Sequence, residues 1–155
     1  MRRRGTLTVK FDPRKSIDKM NGRLRLAHAN RVWAAMRFAT KVALEATPVW
    51  TGDTRANYRW SVGRAGSDYT PYNQTYNWRA KIFPVGSSGA DAKTMAALEA
   101  MRSTVYKDPY QRFVLYNRVI YEGRMTIRDL EYGSLTGTPH MMLNKARQAI
   151  EARLG

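Results

Sequence analysis

The stretch from Arg14 to Ala46 contains no proline and is bracketed by two proline-containing turns, Asp12-Pro13 and Thr47-Pro48. Asp12 is suited to cap a helix, and Pro13 to occupy its first position, where the missing N–H costs nothing. At the far end, Thr47 precedes a proline and is pushed out of the α region. Between these stops Ile17, Met20, Leu24 and Ala27 keep helical spacing. Val32, Ala35, Met36, Ala39 and Ala43 resume it on a slightly rotated face. The spacing predicts one long helix over 14–46 with that face turned to the core, and Gly22 as the place for a kink. Everything else has to be arranged around it.

Thr6 to Phe11 alternates Leu7, Val9 and Phe11 with polar residues, the period of a half-buried strand. Tyr58, Trp60 and Val62 do the same and are stopped by Gly63. Residues 63–89 show no clear period and form a long loop, with a short edge strand expected over Ala80 to Val85. A second helix is predicted from Ala90 to Tyr106, with Met95, Leu98, Met101 or Arg102, and Val105 on its seam. It is broken by Lys107-Asp108-Pro109. Phe113 to Ile120 reads as a strand buried on both faces, and Thr126 to Leu130 as a helical turn. A last helix runs from His140 to Leu154 with Leu143, Ala146, Ile150 and Leu154 inward. With no repeat and no second core, residues 1–155 read as one α+β domain. The long N-terminal helix and two further helices pack on a small, mostly antiparallel sheet with a long central loop.

The chemistry available is narrow. There is no cysteine, which removes thiolate nucleophiles, disulfides and Cys-ligated zinc. The two histidines are far apart in the chain. His28 falls on the helix seam as a packed residue and His140 in the first turn of the last helix as a surface one. Of the 12 carboxylates only Glu122, Asp129 and Glu131 cluster, and they flank Arg124 and Arg128, which can neutralise them. The expectation is a protein that is not an enzyme and uses no metal or cofactor. No apolar run is long enough to span a bilayer and no signal core follows Arg2-Arg3-Arg4, so a soluble chain that is not exported by a signal peptide is expected.

The charge is more telling: 27 Lys and Arg against 12 Asp and Glu leave +15, and residues 1–50 hold +9 of it. Such a balance points to an acidic partner. Lys15, Lys19 and Arg23 recur every four residues, stacking like charge on one helix face at a cost of a few tenths of a kcal/mol per pair. With Arg2, Arg3 and Arg4 in a flexible basic terminus over 1–5, they form a candidate face for DNA or an acidic protein. The plainer reading is a solvated face that keeps the protein soluble. Tyr69, Tyr72, Tyr76 and Trp78 in the loop form a candidate protein interface, favoured over a base-stacking platform because no nucleic-acid signature accompanies them.

Thr47-Pro48-Val49-Trp50-Thr51-Gly52-Asp53-Thr54-Arg55, after a long helix and before Asn57-Tyr58-Arg59-Trp60, resembles a signature of the tail-completion, neck or head-to-tail joining proteins of long-tailed bacteriophages. Tyr116-Asn117, Tyr121, Leu130-Glu131-Tyr132-Gly133-Ser134, Pro139 and Met141-Met142 follow in the order of that family's later blocks, so the resemblance covers about residues 15–150. This chain departs from the pattern at Trp50, Arg118 and Thr138-Pro139-His140. The resemblance makes Thr47, Pro48, Thr51, Gly52, Asn57, Trp60, Asn117, Tyr121, Glu131, Gly133 and Pro139 motif residues, and most of these are of types that build architecture. It implies a structural virion protein, assembled in the host cytoplasm. It also implies a homo-oligomeric ring, six-fold by expectation, in the neck between head and tail. The neighbours would be connector or stopper, tail-terminator or tail-tube proteins, with double-stranded DNA passing through the lumen and no membrane involved. Apart from the resemblance, composition and charge also fit a small basic nucleic-acid-binding module that contacts phosphates without reading sequence.

Overall fold

A computed structural model describes residues 12–47, 52–72, 89–121, 125–133 and 139–154. The strands expected over Thr6 to Phe11 and Ala80 to Val85 lie outside the described residues. The first helix, α1, spans Pro13–Ala46 and runs unbroken through Gly22. The Asp12 carboxylate accepts the amides of Arg14 and Lys15 at 3.1 and 3.3 Å, satisfying donors that a helix start leaves open. At the other end Thr47 is extended, with ψ at 123°. Both ends therefore fall where the two prolines put them.

Only the second half of α1 enters the core. Ala29, Trp33, Ala35, Met36, Ala39, Thr40, Ala43 and Leu44 are buried, whereas every residue from Pro13 to Ala27 is exposed. Ile17, Met20, Leu24 and Ala27 are thus not core residues of this chain. Helical spacing reports that a face is apolar, not what covers it, and apart from Arg25, which donates to the Lys107 carbonyl, the other described elements pack on α1 only from about His28 onward. Fifteen exposed residues at about 1.5 Å each make an arm roughly 22 Å long.

A short helix α2 (Asp53–Ala56) leads into strand β1 (Arg59–Val62). β1 pairs antiparallel with β2 (Phe113–Tyr116), with Trp60 opposite Leu115. The predicted second helix divides at Met101 into α3 (Gly89–Ala100) and α4 (Arg102–Lys107). The strand expected over 113–120 is shorter and only half-buried, because it pairs with β1 alone among the described strands and ends where the Asn117 side chain turns back to Thr54. β3 (Ile120–Tyr121) and β4 (Met125–Thr126) form a second small antiparallel pair, followed by α5 (Ile127–Tyr132).

The last helix, α6 (Met142–Leu154), starts two residues later than expected, after Met141 at φ 53°. It packs along α1, and Ala146, Leu143 and Ile150 join a core built on Trp33, Met36, Leu44, Tyr58, Trp60, Leu98 and Val105. Leu154, expected inward, is 37% exposed at the end of that contact. The protein is a single α+β domain, rich in helix, with a small antiparallel sheet.

Candidate functional site

The turn after α1 builds a buried polar cluster that sets the positions of everything around it. Gly52 takes φ 80°, a left-handed conformation that favours glycine, and lets the chain reverse straight into α2. Arg55, on α2, is wholly buried and donates to the Leu44 carbonyl through Nε and Nη2 at 3.1 and 2.8 Å. Its Nη1 faces the Asp91 carboxylate of α3 at 3.5 Å. Thr94 donates to the Arg55 carbonyl, so α1, α2 and α3 are joined through one guanidinium residue. Neither Arg55 nor Asp91 stood out as a site residue in the sequence, since a separation of 36 residues hides the pairing.

The motif residues around this cluster are architectural. Thr47 donates to the Ala43 carbonyl at 2.6 Å and shares a hydrogen bond of 2.8 Å with the Tyr58 hydroxyl. Trp60 donates to Thr40, which in turn donates to the Met36 carbonyl, stitching β1 to α1. Asn117 donates to the Thr54 carbonyl and accepts the Val119 amide. Burial pulls the neighbouring Arg59 guanidinium below its ordinary pKa, with Tyr116 and Asp68 opposing. Its Nη1 nevertheless donates to the carbonyls of Ala56 and Tyr58.

Asn57 and Asp53 anchor the start of the long loop. The Asn57 amide donates to the Thr70 carbonyl and accepts the Thr70 amide. The Asp53 carboxylate accepts the Tyr69 hydroxyl at 2.6 Å and the Tyr72 amide at 2.9 Å. Arg118 holds the Gly66 carbonyl, and the Tyr116 hydroxyl donates to Asp68. Burial foremost, and then the Asp68 charge, raise the Tyr116 pKa. Of the four aromatics singled out as an interface, Tyr69 is thus tied down by its hydroxyl and remains 39% exposed. Tyr72 is half-buried with Lys93 over its ring, 4.7 Å from the centroid. Tyr76 and Trp78 lie outside the described residues.

Glu131 caps a helix that is not its own. The buried carboxylate accepts the amides of Leu143 and Asn144 at 2.9 and 2.8 Å, in the first turn of α6, where the helix dipole also favours an anion. The Met141 amide donates to the Glu131 carbonyl, which explains why a non-glycine residue is held at positive φ there. Gly133 at φ 72° turns the chain away after α5. Pro139 is exposed just before α6, and Tyr121 contributes to β3. Pro48 and Thr51 lie outside the described residues.

The surface with chemistry to spare is the α1 arm. Ile17, Met20 and Leu24 are 52%, 55% and 60% exposed. At about 100° per residue they occupy one stripe, and Lys15, Lys19 and Arg23 another, about 130° around the helix. All three cations are exposed, and the nearest anion is Asp12, 4.0 Å from Lys15. Further along, Arg31 and Phe38 continue the apolar side of the arm, and there α6 covers it. Arg31 donates to the Leu154 carbonyl, and the Arg153 guanidinium lies 4.1 Å from the Phe38 ring centroid. The arm's apolar stripe is the uncovered extension of the face that α6 packs on. Arg2, Arg3 and Arg4 lie outside the described residues.

Where the arm joins the body, His28 is half-buried and stacks on Tyr110 at 4.8 Å. Beside this stack an apolar hollow of about 290 Å³ opens between Val32, Pro109, Phe113 and Ile150. It adjoins a second of about 370 Å³ along β2 and α6, reaching Leu143, and the two share Trp60, Phe113 and Ile150. Together they make a groove running beside α6. Among the described residues no cluster of three or more His, Asp or Glu is placed to hold a metal, and no helix is long and apolar enough to cross a membrane. Comparison of the chain with protein-family models, with curated proteins and with solved structures finds no match.

Proposed function

We propose that this chain is a structural subunit of a tailed-bacteriophage neck, forming part of the ring that joins the DNA-filled head to the tail. The observation that carries this reading is the α1 arm, a helix of about four turns with an exposed apolar stripe and an exposed cationic stripe, tied to the described body through Arg25, which donates to the Lys107 carbonyl. A helix of this length with Gly22 inside is marginal in water by itself, and an exposed aliphatic stripe marks an interaction surface. The motif order lends support, since Gly52, Asn57, Asn117 and Glu131 each have a definite structural task. The body is adhesive scaffold, and its work is joining and sealing rather than chemistry.

The test is direct. Negative-stain images of the purified protein should contain rings with a central channel, and antibody label on virions should sit at the head-to-tail junction. A chain that stays monomeric alone and with connector and tail partners, and is absent from virions, overturns the reading.

The cationic stripe favours a second reading, a module that binds nucleic acid through phosphates alone. Lys15, Lys19 and Arg23 face solvent on the side of the arm away from Ile17, Met20 and Leu24, so both surfaces can be engaged at once.

A further inference from the structure

We infer that the α1 arm of one copy seats its apolar stripe in the groove beside α6 of the next copy, a head-to-tail contact between identical chains. The inference rests on the ring reading only for closure of the series. It follows from a mismatch that each copy carries twice among its described residues, a helix face lacking a cover and an apolar groove lacking an occupant.

The two cannot meet within one chain. The groove lies alongside His28, Val32 and Met36 of the same unbroken helix, so Ile17 to Leu24 are held beyond its end and cannot fold back into it. Dimensions and chemistry agree. Ile17 to Leu24 spans about 10 Å of helix, and the flank of α6 from Leu143 to Leu154 about 16 Å, so the stripe fits within the groove's length. Lined by Trp60, Phe113, Leu143 and Ile150, the groove offers apolar surface to aliphatic side chains. With the stripe turned inward, Lys15, Lys19 and Arg23 point away from Arg112 and Arg147, which line the groove together with Glu151, the ion-pair partner of Arg147 at 3.7 Å. An arm-to-arm pairing would instead bring two strongly cationic helices side by side. The occupied groove also extends to the arm of the neighbour the arrangement that α6 makes with Arg31 and Phe38 in its own chain.

One such contact is small beside the roughly 800 Å² per partner of a stable interface. In a head-to-tail series every copy gives an arm and receives one, which doubles its buried surface, and a rotation that closes yields a ring rather than a filament. Assembly is therefore expected to be cooperative, with few intermediates between monomer and closed species.

The chain has no cysteine, so engineered thiols report without background. Leu24→Cys on the arm and Gln111→Cys in the groove, combined in one full-length chain and oxidised, should give a ladder of covalent oligomers ending at the closed ring. A mixture of the two single variants should give only the dimer containing both. Dimers from Leu24→Cys by itself would mean that arms pair with arms, and overturn the inference. So would a fast-migrating internally linked monomer, or the absence of cross-links at concentrations where light scattering reports oligomers. As a check without thiols, Leu24→Asp should reduce the light-scattering mass to that of a monomer, with a circular-dichroism melt that matches wild type at dilutions where both proteins are monomeric. An oligomer that persists with Leu24→Asp also refutes the contact. Virions containing the protein but no arm-to-groove link would remove this inference and leave the neck reading standing; a ladder without virion incorporation would do the reverse.

Discussion

Arg55 and Asp91 form an ion pair, 3.5 Å apart, in which neither side chain touches solvent. It joins α2 to α3, and because Arg55 also holds the Leu44 carbonyl, the end of α1 is fixed by the same residue. The register of β1 against the core thus depends on a charged cluster as much as on apolar packing. The apolar groove borrows Trp60 from that strand.

Removing the cation from such a pair leaves a buried carboxylate short of its counter-charge. Arg55→Met should destabilise the domain by about 3–5 kcal/mol, more than a typical single substitution. The double variant Arg55→Met/Asp91→Leu should recover part of that loss, because it buries no charge. Urea unfolding of the three proteins measures the coupling. A single variant within about 1 kcal/mol of wild type would show that the cluster is dispensable.

Glu131 makes a prediction local to α6. Glu131→Ala leaves the amides of Leu143 and Asn144 without their acceptor at the helix start. The cost should be about 2 kcal/mol, or roughly 6 °C in the unfolding midpoint of a domain this size. Hydrogen exchange should rise first at the amides of Leu143 and Asn144. Since α6 forms one wall of the groove, the variant should also weaken self-association when the arm is intact.

Burial foremost, and then the nearby Lys145 charge, lower the pKa of His140 from its ordinary value. A histidine that binds its proton more weakly in the folded state costs stability as the pH falls from about neutral through the folded value. The contribution is fully present above the unfolded value of 6.5. Nuclear magnetic resonance should place the His140 titration below that of free histidine, and Lys145→Met should move it upward. His140→Gln should flatten the acid side of the stability profile in the same window. A titration at or above the free value would remove the basis for this dependence.

Proline and glycine made much of the local structure legible. Asp12-Pro13 and Thr47-Pro48 placed both ends of α1, and Gly63 the end of β1, because these residues act through their own backbone. Long-range pairings were not legible. The Arg55–Asp91 ion pair, the Glu131 cap on α6 and the anchoring of Thr70 by Asn57 connect positions whose proximity exists only after folding. The largest misreading has a physical cause too. Ile17, Met20 and Leu24 carry the spacing of a core face, and spacing looks the same whether the cover comes from the same chain or another. The anchoring of the loop was not legible either. Tyr69 and Tyr72 sit beside the buried cluster, but hydrogen bonds to Asp53 that no local pattern announces hold the Tyr69 hydroxyl and the Tyr72 amide.

The cationic stripe gives the last prediction, and it separates contact with DNA from contact with an acidic protein. If Lys15, Lys19 and Arg23 neutralise phosphates, each releases condensed counterions, and binding to generic duplex DNA weakens steeply with salt. Replacing all three by Gln should then lower the slope of log K against log salt by about 3, at roughly 0.9 per phosphate contact. The three side chains are exposed, so the substitutions should leave the fold intact, and like charges stacked at four-residue spacing are relieved by a few tenths of a kcal/mol per pair. The melting temperature should therefore stay level or rise slightly as DNA affinity falls. An unchanged salt slope, with ring formation preserved, would assign the stripe to an acidic protein neighbour. Loss of ring formation in the triple variant would place the stripe within the subunit contact itself, contrary to an arm whose cations point out of the groove.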